Sequence, residues 1–481
     1  MNKSLWLRCL RTLVVYVILA QSFVVSWAAR KPAAPPNVVF LLADDLGYMD
    51  IGANNPKTFY ETPNIDGLAR SGMRFTAGYS ACCVCSPTRA SIMTGKYPPR
   101  VGITDYIGRN RPDKMLPAPN GDHLALEEIT IAERMRDAGY TNFFAGKWHL
   151  GNGQFGPSSQ GFSADLTGNG FLYPKTELPP PDKTNDGKTT DRIADEAIRF
   201  IDANKDKPFF AYLPFQAVHI PISARPDLVA KYERKRASAP ASQWGHERNS
   251  DIRLVQNHAA YAAMLEQLDL AIGRVLAALE RNGLSERTIV IFTSDNGGLA
   301  TAEGHPTSNL PLRCGKGWAY EGGVRVAWIV RAPGVTKAGS VCDSPVISTD
   351  FYATLLDLTG QSTKLAPNDS VSFKRLLAGG KASRAPLFWH YPHYGNQGGA
   401  PYGAVRDGDW KLIEWYEDGK LELFNLREDI GEQNNLAGQQ PKLVAKLQAK
   451  LKTWRKDVNA LMPTPNPNPP PTYSTPAKKE G

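Results

Sequence analysis

The run Asn37-Val38-Val39-Phe40-Leu41-Leu42-Ala43 is apolar on both faces and ends abruptly in Asp44-Asp45, with Gly47 close behind. A strand with no polar face must be covered on both sides, which points to a mostly parallel sheet between layers of helices. The pattern recurs. Thr141–Ala145 reads as a strand and is followed by Gly146-Lys147-Trp148-His149-Leu150-Gly151; the buried strand Pro208–Leu213 ends near His219-Ile220-Pro221; the central strand Thr288–Thr293 closes on Ser294-Asp295-Asn296-Gly297-Gly298. Val326–Val330 is a further strand. In an open α/β sheet, ligands gather beyond the carboxyl ends of the strands. Adjacent carboxylates there repel one another unless a cation sits between them, and their oxygens suit calcium or magnesium. A turn with a helix-capping Asp is the plainer reading of Asp44-Asp45. Lys147 and His149, two apart on an extended segment, would share one side. His219 would otherwise be a turn residue against Pro221.

A second feature is Cys82-Cys83-Val84-Cys85-Ser86-Pro87-Thr88-Arg89, continuing to Thr94-Gly95. Arg89 brings a forked cation suited to a tetrahedral oxyanion. Pro87 stiffens the backbone between thiol and guanidinium, and Ala90–Met93 can continue as a helix whose N-terminus faces an anion. A nucleophile at the mouth of an anion site is the sharp reading. The alternatives are a zinc site on Cys82 and Cys85, for which a second Cys-x-x-Cys pair is missing, and a cysteine-phosphatase loop on Cys83 and Arg89, which lacks the glycines that let amides converge on phosphate. A disulfide cluster leaves Pro87 and Arg89 unexplained.

The rest of the chain frames these motifs. Its 481 residues, 42% hydrophobic, are enough for a large core and more than one domain. The formal charge of +9 comes without a Lys/Arg-rich block, so nucleic acid is not an expected partner and acidic substrates are. Lys3, Arg8 and Arg11, an apolar run from Leu13 to Ala20 and Ser26-Trp27-Ala28 read as a cleavable export signal over residues 1–28. Five cysteines then remain; converting Cys85 to another species leaves four for up to two disulfides. Helices are expected over His123–Arg136, Asp191–Asn204, Leu254–Asn282, Thr349–Thr359 and Pro441–Val458. Lys231–Asn249 reads as an exposed insertion. Lys316 sits on a glycine-flexible loop, Arg313-Cys314-Gly315-Lys316-Gly317, able to approach an anion closely. A polar, small-residue stretch near Gly379–Arg384 divides a main domain, 29–380, from a C-terminal α+β part, 381–462. That part holds four antiparallel strands, a hairpin at Asp418-Gly419 and one helix. A disordered tail is expected over 463–481.

These motifs resemble, in order and placement, those of the type I sulfatases, in the branch of arylsulfatase A and N-acetylgalactosamine-6-sulfatase: Asp-Asp after the first strand, Cys-x-Pro-x-Arg, Gly-Lys-Trp-His-Leu-Gly, Ser-Asp-Asn-Gly-Gly and Arg-Cys-Gly-Lys-Gly. The resemblance runs from about Asn37 to Leu426; Thr88 replaces the commoner serine and keeps the hydroxyl. It implies an α/β fold, an alkaline-phosphatase-like α/β/α sandwich with a smaller C-terminal antiparallel sheet plus helix. It also implies a sulfuric ester hydrolase in which Cys85 is converted to formylglycine by a separate maturation enzyme, and in which one calcium ion is held by Asp44, Asp45, Asp295, Asn296 and the modified Cys85. The hydrated aldehyde would attack sulfur with help from Asp295, giving a covalent enzyme–sulfate. Arg89 and Lys147 would orient the hydrate, and Lys147, His219 and Lys316 would grip the sulfate. His219, with Lys316, would protonate the leaving alcohol, and His149 would take the proton whose loss expels sulfate. The implied substrate is a sulfated carbohydrate of galactose or N-acetylgalactosamine type, met in the periplasm or outside the cell. His390, Tyr391, His393 and Tyr394, and secondarily Asp105, Tyr106 and Arg109, are candidate sugar contacts. A phosphate- or phosphonate-ester hydrolase on the same scaffold and a non-catalytic glycan-binding relative are the competing readings.

Overall fold

Strand β1, Asn37–Ala43, lies at the centre of an eight-stranded sheet and is wholly buried along its length. The computed structural model describes residues 35–108, 111–166, 188–367, 369–382 and 385–470; the expected export signal, Arg109 and the chain beyond 470 lie outside them. The other strands, in chain order, are β2 (Met73–Phe75), β3 (Thr141–Ala145), β4 (Ala164–Leu166), β5 (Phe209–Pro214), β6 (Thr288–Ser294), β7 (Trp328–Arg331) and β8 (Ser340–Cys342). Their spatial order is β8-β2-β7-β6-β1-β5-β3-β4. From β6 to β4 all pairs are parallel, while β7 runs antiparallel to both β6 and β2, so the sheet is mixed. The five parallel strands therefore end on one side, where Asp44, Gly146, Phe215 and Asp295 begin the loops of interest.

Helices cover the sheet in two groups. Pro63–Ser71 (α1), Lys188–Asn204 (α4) and Pro226–Arg236 (α5) pack with the long helix Ala259–Arg281 (α6). Cys85–Thr94 (α2), Ile131–Asp137 (α3) and Asp350–Leu358 (α7) pack with one another in the second group, which completes the α/β/α sandwich. Every side chain of α2 is buried, and the helix stops at Gly95, whose φ of 69° donates the capping N–H to Ser91 O. A second sheet, β9-β10-β11-β12 (Leu387–Tyr391, Tyr402–Asp407, Trp410–Trp415 and Leu421–Asn425), is antiparallel throughout and carries helix α8, Pro441–Asp457. Its core is shared with Cys82–Val84 and the segment around Trp318, so it buttresses the cysteine stretch directly.

Several sequence expectations need correction. The helix expected from His123 begins only at Ile131. Thr130 and Glu133 form a capping box, with Glu133 N donating to Thr130 Oγ1 at 3.1 Å and Thr130 N to Glu133 Oε2 at 2.8 Å, and this fixes the start. Leu126 and Ile129, whose spacing suggested helix, are exposed. The supposed insertion 231–249 is partly regular: it completes α5 and enters a hairpin of Trp244–Glu247 with Ser250–Arg253. Thr464–Pro465, expected to lie in a loose tail, pair with Met115–Leu116. Cys82, Cys83, Cys85, Cys314 and Cys342 are free thiols, so the two disulfides allowed by the count are not formed.

Candidate active site

The strand-end loops converge because their backbones are laced together. Asp295 N donates to Ala43 O (3.2 Å), Val218 N to Asp44 O (2.8 Å) and Lys147 N to Pro214 O (2.7 Å). Room is tight: a Cβ on Gly297 would lie 1.8 Å from Gly322 O, so only glycine lets the Asp295-Asn296 loop approach the segment behind Lys316.

On this floor the acidic residues form one cluster. Asp44 Oδ2 lies 2.5 Å from Lys147 Nζ and 3.4 Å from Arg89 Nη2. Asp45, at a left-handed φ of 61°, receives Lys316 Nζ on Oδ2 (2.8 Å) and Asn296 Nδ2 on Oδ1 (2.8 Å). Its backbone N–H donates to Asp295 Oδ1 at 3.2 Å. Asp295 Oδ2 accepts from Arg89 Nε at 2.9 Å and stands 2.7 Å from Nη2 as an ion pair. Two oxygens, Asp44 Oδ1 and Asn296 Oδ1, are buried with no donor within the described residues. Bare carboxylate and amide oxygens beside further carboxylates are the donor set of a hard divalent cation, so these residues fit one. Asp44, Asp45 and His219 also offer ligand atoms within 4.8 Å of one another.

The reactive side chains surround that floor. Cys85 stands at the first position of α2, with its Sγ 3.2 Å from His149 Nδ1. His149 has a φ of 56°, so it reaches the pocket through a left-handed bend rather than by extended alternation with Lys147. Its Nε2 contacts Ile107 O at 3.1 Å. His219 Nδ1 contacts Ile220 O at 2.7 Å, which leaves Nε2 facing Asp45 Oδ2 at 3.6 Å. Arg89 donates a second bond, from Nη1 to Lys147 O (2.6 Å).

Electrostatics follow from burial and charge. Burial favours the acid form of Asp44, but Lys147, His219, Arg89 and Lys316 outweigh it and hold the carboxyl well below its usual range. For Asp295, burial and the neighbouring Asp44 prevail over Arg89 and push it up to about 7. Burial opposes the charged form of Lys147 and Lys316, yet Asp44 and Asp45 respectively keep each ammonium charged. Burial, then Lys147 and Arg89, drive His149 well below its ordinary value, so its ring is neutral. Burial raises the Cys85 thiol to about 11, so an unmodified thiol here is not poised as a thiolate nucleophile.

All ten residues singled out for chemistry thus come together: Asp44, Asp45, Cys85, Arg89, Lys147, His149, His219, Asp295, Asn296 and Lys316. The sugar-contact guesses do not. His390 is buried between Tyr416 OH (2.7 Å) and Leu461 O (2.9 Å). Tyr391 and His393 are buried against Asp105 and Thr104, and Tyr394 OH bonds Glu417 Oε1 (2.9 Å). They are interior polar groups of strand β9 and the segment that follows it. Unforeseen contributors are the Ile107 carbonyl and Asp50, whose carboxylate accepts from Tyr261, Thr307, Gln256 and Gly47 N behind the Asp44-Asp45 turn. A backbone carbonyl leaves no sequence signal; Asp50 sits five residues past Asp45 and carries only a weak one.

Comparison with known proteins agrees with this geometry. Residues 36–361 match the sulfatase family model, and residues 314–457 match that of the C-terminal region of N-sulphoglucosamine sulphohydrolase. A sulfatase of Formosa agariphila is 32% identical, over 93% of this chain and 94% of that one. N-acetylgalactosamine-6-sulfatase of Mus musculus is 31% identical, over 85% and 78%. The crystal structure of Ps i-CgsB in complex with k-i-k-neocarrahexaose superposes with a TM-score of 0.70 at 25% identity, covering 88% of this chain and 93% of that one.

Proposed function

The chain belongs to the sulfatase family, and from that premise we propose that it removes sulfate from monoesters on galactose- or N-acetylgalactosamine-type sugars, using a formylglycine made from Cys85 and one calcium ion. The observation that carries this reading is the single cluster in which Cys85 Sγ, His149, three cations and the four oxygen-bearing side chains Asp44, Asp45, Asp295 and Asn296 meet. The sugar class rests on the likeness to an N-acetylgalactosamine-6-sulfatase.

Asp44, Asp45, Asp295 and Asn296 would hold the calcium, with the modified residue 85 as a further ligand; bound there, the ion would supply Lewis-acid stabilisation of a sulfate oxygen. The aldehyde, as its hydrate, would supply the nucleophilic oxygen. Arg89 and Lys147 orient the hydrate of residue 85. Lys147, His219 and Lys316 present fixed donors to the sulfate oxygens, where charge builds in the transition state. With Nδ1–H committed to Ile220 O, His219 works through Nε2, and in its imidazolium form, together with the Lys316 ammonium, it delivers the proton to the departing alcohol. His149 Nδ1 receives the proton from residue 85 that resets the site, and Asp295 assists the first deprotonation. Export by the segment 1–28 places this chemistry outside the cytoplasm, in keeping with the described residues, which contain no helix long and apolar enough to cross a membrane.

The test is sulfate release from a panel of monosulfated galactose, N-acetylgalactosamine and glucosamine, run alongside peptide mass spectrometry across Ala81–Lys96. Active protein is expected to show a loss of about 18 Da at Cys85, outside the ordinary cysteine oxidation series. Full activity with an intact, alkylatable Cys85 overturns the mechanism. Faster turnover of the matching phosphate esters overturns the substrate class.

A further inference from the structure

The loop Thr104–Ile107 joins the second sheet to the catalytic histidine. At its far end, Ile107 O accepts from His149 Nε2 at 3.1 Å. A carbonyl only accepts, so Nε2 carries the ring proton. In a neutral imidazole Nδ1, 3.2 Å from Cys85 Sγ, is then the bare acceptor. The other tautomer would set a lone pair against the Ile107 carbonyl and present an N–H where a proton must be received.

The loop is held at several points. Ile107 N donates to Ser86 Oγ at 3.1 Å, next to Cys85. Asn120 Oδ1 accepts from Thr104 N (2.8 Å) and Asp105 N (3.0 Å). The remaining two anchors come from the segment that leaves β9: Thr104 Oγ1 meets His393 Nε2 at 2.8 Å, and Tyr391 OH donates to Asp105 Oδ1 at 3.0 Å. Thr104, Asp105, Tyr391 and His393 are all buried, so water does not replace a bond that is lost. His149 itself sits at positive φ, a conformation a non-glycine residue keeps only where its surroundings hold it.

We propose that Thr104 and Asp105, latched to His393 and Tyr391, are positioning residues that set the tautomer and aim of His149 through the Ile107 carbonyl, so that the C-terminal sheet governs the proton-accepting step. This rests on the sulfatase reading for the identity of the step, but the latch itself is a property of the unmodified chain. It explains why the end of β9 and the segment after it carry buried Tyr391 and His393 side chains that meet Asp105 and Thr104 rather than solvent.

The test has two arms. In unconverted protein selectively labelled with ¹⁵N-histidine, with His149→Gln used for assignment, the His149 ring is expected to show one Nε2–H tautomer. Thr104→Val and Tyr391→Phe are expected to give a tautomer mixture, and Thr104→Ser to restore the wild-type signal. In converted protein the same two variants are expected to lose about tenfold in kcat, the equivalent of one hydrogen bond of about 1.4 kcal/mol, with KM unchanged and with Thr104→Ser restored. An unchanged Nε2–H signal in both Thr104→Val and Tyr391→Phe overturns the latch, as does equal behaviour of Thr104→Ser and Thr104→Val. Absence of sulfate release from converted wild-type protein overturns the sulfatase reading alone, because the labelled, unconverted protein still reports the tautomer.

Discussion

Arg89 places both Nε and Nη2 on one oxygen of Asp295, Oδ2, at 2.9 and 2.7 Å. That fork leaves Oδ1 turned toward Asp45, while the third guanidinium nitrogen fixes the carbonyl of Lys147. One side chain thereby orients an acid of the metal cluster and the lysine strand end together. Lysine has the charge but neither the fork nor the second reach. Arg89→Lys is expected to lower kcat by about 100-fold or more. Arg89→Ala, which leaves Asp295 buried without its partner, should cost about 3–5 kcal/mol of stability. Sulfate release and urea melts measure the two effects separately.

Metal removal should act on stability as well as rate. Asp44, Asp45, Asp295 and Asn296 lie within one buried cluster whose uncompensated oxygens a cation would satisfy. Chelation is expected to abolish turnover and lower the melting temperature. Adding calcium at one hundred times its dissociation constant should restore about 2.7 kcal/mol. Asp45→Asn should weaken this calcium-dependent shift, which differential scanning calorimetry reads directly.

Between the two sheets lies a buried ion network that contains none of the residues assigned to the chemistry. Lys411 Nζ is 3.0 Å from Glu321 Oε1 and 2.9 Å from Glu432 Oε1, with all three side chains fully buried. Arg325 Nε adds 2.7 Å to Glu321 Oε2, and Tyr79 OH donates to the same oxygen. Lys411→Met would leave two carboxylates facing each other without their shared cation. A loss of about 3–5 kcal/mol is expected in denaturant titration, with KM for a sulfated sugar unchanged at a permissive temperature.

Asp105 gives a pH signature. Burial, only partly offset by Tyr106 N, Tyr391 and Arg111, raises its carboxyl from 3.8 to about 7. The folded chain therefore binds a proton that the unfolded chain releases between about pH 4 and 7. The stability contributed by the protonated form is full below pH 4 and is lost as pH rises through 7, by up to about 4 kcal/mol at 1.36 kcal/mol per unit. The stability difference between wild type and Asp105→Asn should fall across that window and level off above it, as measured by urea titrations from pH 4 to 8.

Much of the site was legible because its chemistry sits where chain direction makes it visible. Val38–Ala43 and Ile289–Phe292 are apolar without interruption, so the polar residues that follow each mark a strand end. Asp44-Asp45 and Asp295-Asn296 could be read as candidate cation ligands without tertiary information. Periodicity misled at His123–Ile129, where apolar spacing was real but a capping box at Thr130 started the helix later. Residue type alone suggested His390, Tyr391, His393 and Tyr394 as sugar contacts, and residue type does not encode burial.

By itself, then, the sequence determined the strand ends, the cations beside them, the proposed nucleophile and the family the chain belongs to, since each is a local pattern of residue types. Only the tertiary structure decided which way those groups face. The Ile107 carbonyl that assigns the His149 proton, the fork of Arg89 on a single Asp295 oxygen and the triad Glu321–Lys411–Glu432 join positions 42, 206, and 90 and 21 residues apart. Pairings over such separations arise from packing of the two sheets and their loops. A backbone oxygen or a buried ion pair carries no periodic signal along the chain, so its partner is fixed only when the fold closes.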